Sequence, residues 1–207
     1  MNRLKVVRAG DAALLVEAAD LATAHRLDAA LRDDPLPDVV DIVPGERTVL
    51  VVADTGADLG RLAERLTRLR LPDDAAADTE PVEVPVTYDG ADLDEVAELT
   101  GLSRGEVVRR HSAATYTVAY LGFSPGFGYL TGLDPALHVG RRESPRTAVP
   151  AGSVAIADRY AAVYPSRSPG GWRLLGRSEL RLWDVARDPP SLLRPGMHVR
   201  FVPRESP

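Results

Sequence analysis

Between Thr115 and Val202, proline and glycine cut the chain into short apolar runs too brief for helices. They fall at 115 to 121, around 136 to 139, and at 147 to 149, 152 to 157, 161 to 164, 173 to 176, 179 to 184 and 197 to 202. Regular short strands with turn residues between them, and no helical period of comparable length, predict a closed or nearly closed β-barrel.

The first seventy residues follow another pattern, twice over. Leu4 to Arg8 and Ala13 to Ala18 flank a turn at Ala9-Gly10-Asp11, and Asp20 is placed to cap a helix running to about Arg32. Val39 to Val43 and Thr48 to Ala53 then flank Pro44-Gly45-Glu46. Asp58 to Arg70 follows as an amphipathic helix with Leu59, Leu62, Leu66 and Leu69 on one face. Two such passages predict a small α/β sandwich, a four-stranded sheet with two helices on one face. The acidic, proline-bounded stretch Pro72 to Pro81 reads as a linker. The expectation is an α+β chain of two domains, an α/β domain with its linker over 1–80 and a barrel domain over 81–207.

Ahead of the barrel, Leu93 to Thr100 and Arg104 to His111 predict two short helices around Gly101-Leu102, the second with a capping box of Ser103 and Glu106. The pair resembles a DNA-binding helix-turn-helix in its text. Its acids Asp92, Asp94, Glu95, Glu98 and Glu106 would repel phosphates, so nucleic acid is not an expected partner.

Several chemistries are narrowed by what the chain contains. With no cysteine, disulfides and thiolate catalysis are excluded. The four histidines, His25, His111, His138 and His198, show no metal-binding spacing, and no structural metal is expected. Lys5 is the sole lysine and follows no glycine-rich loop, which excludes a phosphate-binding loop of the Walker kind. The N-terminus lacks a signal-peptide run and no segment has the length to span a bilayer, so a cytoplasmic protein without membrane association is expected. Residues 1 to 103 carry 10 Lys+Arg against 22 Asp+Glu, whereas residues 104 to 207 carry 15 against 8. The second half would therefore attract an anionic ligand or an acidic partner, unless the two halves neutralise each other internally.

Three glycine-rich passages stand out there: GFSPGFGYL, PRTAVPAGSVAI and YPSRSPGGWRLLGR. Glycine admits a ligand close to the backbone N–H groups, and the neighbouring aromatics supply a desolvated wall. Arg146, Arg167, Arg173 and Arg177 are candidates to clamp a carboxylate or phosphate. The same passages read equally well as turns at one end of a barrel. His111 is the better placed histidine for proton transfer, and Ser124, Ser153 and Ser168 are possible nucleophiles or donors. Ser153 lacks the flanks of a nucleophile elbow and reads as a polar contact at a strand start. No triad can be assembled.

The segments HSAATYTVAYLGFSPGFGYLTGL, PRTAVPAGSVAIADRYAAVYPSRSPGGWRLLGRSELRLWD and LLRPGMHVRF resemble the family of 5-oxoprolinase B subunits. That family is also labelled allophanate hydrolase subunit 1, and it includes an inhibitor of a sporulation histidine kinase. The resemblance covers about Leu99 to Val202 and matches the N-terminal part in layout. It implies a cyclophilin-like barrel after the α/β domain, and one component of a heteromeric enzyme that opens 5-oxoproline to glutamate with ATP. The implied partners are the C subunit of the same 5-oxoprolinase, which has a related barrel, together with a third, the A subunit. The implied substrate is small and anionic. ATP is then used by the complex. By position the resemblance implies His111 and Arg146 as catalytic residues. The implied substrate contacts are Phe123, Pro125, Gly126, Phe127, Ser153, Tyr164, Ser168, Pro169, Gly170, Gly171 and Trp172. Met197 departs from the family, which commonly has an acid in that closing turn. Kinase inhibition and allophanate hydrolysis are the alternatives; the latter is disfavoured because no Ser-Lys pair can form with Lys5 alone.

Overall fold

The computed structural model describes residues 4–72 and 80–204, and the chain divides into two compact units, Met1–Asp78 and Thr79–Pro207. Most of the acidic stretch read as a linker, residues 73–79, lies outside the described residues.

In the first unit β1 (Lys5–Arg8), β2 (Ala13–Glu17), β3 (Val39–Pro44) and β4 (Thr48–Ala53) form an antiparallel sheet in the order β1-β2-β4-β3. Helices α1 (Leu21–Asp33) and α2 (Leu59–Arg68) begin at aspartate caps. Asp20 accepts from Thr23 N at 2.7 Å and Asp58 from Arg61 N at 3.0 Å, each satisfying an otherwise orphaned first-turn donor. Their apolar stripes, Ala24, Leu27 and Leu31 on α1 and Leu62 and Leu66 on α2, close with Leu14, Val16, Val49 and Val51 into one core. The outer strand β3 carries a bulge, Pro44 and an Arg32 guanidinium donating to the Ile42 carbonyl at 3.0 Å, all of which discourage further strand pairing.

The second unit opens with β5 (Val82–Val86), then α3 (Leu93–Thr100) and α4 (Arg104–Ala113). The turn between the helices places Gly101 at φ 67°, the left-handed cap that glycine adopts without a Cβ penalty. Next come β6 (Thr115–Leu121), β7 (Gly128–Thr131), β8 (Arg146–Val149), β9 (Ser153–Ala157), β10 (Tyr160–Val163), β11 (Ser168–Gly170), β12 (Arg173–Arg177) and β13 (His198–Pro203). Seven of them form a sheet in the order β12-β9-β10-β7-β6-β13-β5, and β11 pairs with β8 separately. Just beyond β5, Thr87 and Arg177 exchange backbone hydrogen bonds of 2.9 Å each, which joins the two outer strands and closes the barrel.

Two of the runs expected as strands are not strands. At 136 to 139, Asp134 caps Ala136 N and Pro135 starts a 3₁₀ turn, Pro135–Leu137, leaving only a bridge at Val139. At 179 to 184 the sole ladder contact is the Trp183–Ser191 bridge, because Pro189 and Pro190 in the facing segment supply no N–H donors. Conversely, Gly128–Thr131 and Ser168–Gly170 are strands inside passages read as loops.

The closing seam depends on Gly176. A Cβ there would lie 2.3 Å from the Thr87 carbonyl oxygen, a backbone atom that cannot rotate away. Gly176→Ala is expected to destabilise the barrel by about 3 kcal/mol through overpacking, read as a lower urea midpoint for its unfolding transition.

Candidate functional site

Side chains alternate along the barrel strands, so two cores form on their two faces. One face, with Val118, Leu130, Val154, Ile156, Val163, Leu175 and Phe201, packs with Val96 of α3 and Val107 of α4. The other face, with Ala155, Ala157, Ala162 and Leu174, carries Phe127, Val149, Tyr164 and Trp172, with Tyr129 and Tyr160 at its margin. All three glycine-rich passages meet in this second cluster. Phe127 is its hub, edge-on to Tyr129, Tyr164 and Trp172 at centroid separations of 5.1, 5.3 and 5.5 Å.

The loop 122–127 folds tightly over it. Ser124 N donates to the Gly122 carbonyl at 2.6 Å, Phe127 N to Ser124 at 3.0 Å, and Gly122 N back to Phe127 at 3.1 Å. Gly126, at φ 78°, lies against Trp183. Phe123 is the exception in this packed layer. Its φ is 63° and its side chain is 59% exposed, with its ring edge-on to Phe127 at 5.2 Å and to Tyr164 at 6.4 Å. Pro125, on the same turn, and Pro169, in β11, are also exposed.

Tyr164 shows why the GG pair follows. A Cβ on Gly170 would sit 2.3 Å from the Tyr164 hydroxyl, so only glycine lets that hydroxyl reach the backbone, where Trp172 N–H bonds it. Gly171 accepts from Arg142 N at 2.7 Å. Ser153 Oγ donates to the Pro150 carbonyl at 2.8 Å and closes a turn. The Ser124 and Ser168 hydroxyls are buried with no hydrogen-bond partner among the described residues, so none of these three serines is bonded to a base. Two open surface depressions, each of about 340 Å³, occur among the described residues: one around Leu36 and Ile42 in the first unit, the other beside His138, Asp158 and Tyr160 at the margin of this cluster.

Beside this cluster is an ion-pair hub centred on a residue that sequence reading passed over. Asp92, 1% exposed, accepts both guanidinium nitrogens of Arg146 at 2.7 and 2.9 Å, Arg142 at 2.7 Å and Leu174 N–H at 2.7 Å. Glu95 pairs with Arg142 at 3.3 Å and with Arg173. Burial alone would raise the Asp92 pKa. The Arg146 hydrogen bond, the Leu174 N–H and the charges of Arg146 and Arg142 outweigh it and hold the carboxyl below its ordinary range. Arg146 thus spends its fork on Asp92 and ties the start of α3 to β8 and β12. Only the position of Asp92 before a helix signalled it in the sequence; its partners lie 50 to 82 residues away.

His111 stands apart from both. Its ring is fully buried on α4, 4.4 Å from the Phe201 ring and 5.6 Å from that of Tyr116. Tyr88, whose own pKa is pushed up by burial, bonds Nδ1 at 2.8 Å, and the Tyr116 hydroxyl donates to the His111 carbonyl at 2.8 Å. Desolvation pushes the imidazole down to about 3, so it is neutral near pH 7. The structure therefore brings together Phe127, Tyr164 and Trp172 among the residues expected as substrate contacts, sets Arg146 at their edge, and leaves His111 in the other core. No group of three or more His, Asp or Glu suited to a metal occurs among the described residues. No helix among them is long and apolar enough to cross a membrane.

The family model for the carboxyltransferase domain, subdomains C and D, matches residues 4–193, and the chain belongs to that family. The crystal structure of TTHA0988 superposes with a TM-score of 0.83 at 40% identity, covering 99% of this chain and 41% of that longer one. The Kluyveromyces lactis urea amidolyase shares the fold at a TM-score of 0.76 and 22% identity, over 97% of this chain and 15% of its own. The 5-oxoprolinase B subunit of Escherichia coli O157:H7 is 42% identical over 99% of this chain and 98% of its own length. Within the carboxyltransferase-domain family, the chain is a member of the family of 5-oxoprolinase B subunits.

Proposed function

We propose that this chain is the B subunit of an ATP-dependent 5-oxoprolinase, opening 5-oxoproline to glutamate in the cytoplasm together with a C subunit of related barrel architecture and an A subunit. The observation that carries this reading is the 42% identity, end to end, with a 5-oxoprolinase B subunit. The absence of any base-activated serine among the described residues favours a site completed by partners.

ATP in such a complex would phosphorylate the lactam oxygen; water would then add to the ring carbon, the adduct would expel the ring nitrogen as the amine and leave an acyl phosphate, and a second water would release phosphate to give glutamate. The described residues of this chain do not fit a nucleotide loop, since Lys5 is ion-paired with Glu17 at 2.8 Å on an outer strand. Nucleotide binding is accordingly assigned to the complex. The part assigned to this chain is to exclude water with Phe123, Phe127 and the aromatic layer, and to stabilise negative charge with backbone N–H groups near Gly126 and Gly170-Gly171. Tyr164, Ser168 and Trp172 line the same wall. Arg146 and His111 serve by position, Arg146 through Asp92 and His111 by fixing α4 on Phe201.

Co-expression with the A and C subunits, followed by an assay of ATP-dependent glutamate release from 5-oxoproline, tests the reading. Release is expected from the full set and is expected to vanish when this chain is omitted. No release from a demonstrably assembled complex would overturn it.

A further inference from the structure

Asp92 stands at the N-cap of α3 and caps nothing. Asp20, Asp58 and Ser103 each accept a first-turn N–H at the head of their own helices, whereas the Asp92 side chain makes no such bond. A cap hydrogen bond stabilises a helix, and here it is forgone for a carboxylate buried to 1% exposure. A buried ion pair adds little net stability over an apolar pair of the same volume. What it can supply is a single arrangement of the groups it joins.

The groups joined by Asp92 bracket the Gly170-Gly171 turn. Ahead of it, Gly170 stands opposite Arg146 in the ladder between β11 and β8, and the Arg146 fork holds Asp92 at 2.7 and 2.9 Å. Within it, the Gly171 carbonyl accepts from Arg142 N at 2.7 Å, and the Arg142 guanidinium donates to Asp92 at 2.7 Å. Beyond it, Leu174 N–H donates to the Asp92 carboxylate at 2.7 Å while Asp92 N–H donates to the Leu174 carbonyl at 3.0 Å. Arg173, between Trp172 and Leu174, pairs with Glu95 one turn further along α3. A Cβ on Gly90 would lie 2.3 Å from the Leu174 carbonyl oxygen, so the chain entering α3 lies directly against β12. Two adjacent glycines have no side chains to hold their backbone. One carboxylate therefore steadies them from both sides.

We infer that Asp92 is the positioning residue of the candidate site: through Arg146, Arg142 and Leu174 it sets the orientation of the Gly170-Gly171 backbone, whose N–H groups act on the charge developing at the substrate carbonyl oxygen. This rests on the 5-oxoprolinase reading above. Backbone donors stabilise a transition state when they are aimed before the reaction begins. A loosened turn then lowers turnover and leaves ground-state binding nearly unchanged.

The test uses the complex of this chain with the A and C subunits, assayed for glutamate release per assembled complex below the melting temperature of each variant. Asp92→Asn keeps the side-chain size and removes the charge. It is expected to lower kcat about tenfold or more, with KM for 5-oxoproline within about twofold of wild type. Arg146→Gln, at a partly exposed position, is expected to do the same to a smaller degree. The double variant should be no slower than Asp92→Asn alone, because both changes cut one link. Amide exchange on the full chain reads the turn directly: Gly170 to Leu174 should exchange faster in Arg146→Gln, with Thr115 to Leu121 unchanged. Should Asp92→Asn fail to fold, Arg146→Gln decides by these two readouts. A purely structural hub would lower the melting temperature and leave kcat per assembled complex at the wild-type value in both single variants. That result overturns the inference while the 5-oxoprolinase reading stands. A rise in KM confined to Arg146→Gln also overturns it, since the guanidinium would then bind substrate directly. If the wild-type complex releases no glutamate, the 5-oxoprolinase reading fails and the inference falls with it.

Discussion

Asp92→Ala is expected to remove about 3 to 5 kcal/mol from the stability of the second unit, the cost typical of breaking a buried ion pair from one side. The carboxylate satisfies Arg146, Arg142 and Leu174 N–H at once, and its loss strands two guanidinium groups and a backbone donor where water is largely excluded. Asp92→Asn should recover part of the loss, since an amide oxygen still accepts one bond while its NH₂ faces a cation. Urea unfolding monitored by Trp172 and Trp183 fluorescence would follow this unit, as both tryptophans lie in it. Unfolding curves that superpose on wild type would show that the hub contributes nothing net. The pH dependence has the same origin. Because the folded pKa of Asp92 lies below its unfolded value near 3.8, its stabilisation is complete above that value and disappears as pH falls through the folded pKa.

A second large effect comes at milder acidity. His111 titrates near 6.5 when unfolded and near 3 when folded, so between those values the unfolded chain binds a proton that the folded chain refuses. Stability is full above pH 6.5 and falls as pH drops, by about 1.4 kcal/mol per unit, until the folded pKa is reached. From pH 7 to pH 5 the loss expected from this group alone is about 2 kcal/mol. His111→Phe paired with Tyr88→Phe keeps the ring stack on Phe201 and leaves no orphaned hydroxyl, so the double variant should show a markedly smaller loss over that interval. A slope of undiminished size in the variant would assign it to other groups. This titration also bears on catalysis, because a neutral imidazole enclosed by Phe201, Tyr116 and Tyr88 has no path for exchanging protons with a ligand at the other core.

Where local pattern determines the outcome, the sequence was sufficient. The strands Thr48–Ala53 and Thr115–Leu121, the helix Leu93–Thr100 and the aspartate caps at Asp20 and Asp58 all follow from period, capping chemistry and turn residues within a few positions. Failures occurred where pairing decides. The segment from Glu179 to Asp184 alternates like a strand but faces prolines. Gly128–Thr131 and Ser168–Gly170 look like loop text, yet they are strands because β6, β10 and β8 lie alongside them. The candidate site divides in the same way. Gly170, Gly171, Trp172, Tyr164 and Phe127 announce a crowded aromatic turn region by composition. Asp92 is invisible because nothing local distinguishes a surface helix cap from a carboxylate holding two arginines about fifty positions away.

The order of the barrel strands has a mechanical corollary. Its first and last strands, β5 and β13, are neighbours and run parallel, with Val82 opposite Val199 and Val86 opposite Pro203. Tension applied through the chain leading into Val82 and the chain leaving Pro203 would pull these two strands in opposite directions along their length. Their ladder is then loaded in shear, with its hydrogen bonds sharing the force, and not peeled apart one bond at a time. A barrel joined to other chain at both of these ends is built to bear a pull between them.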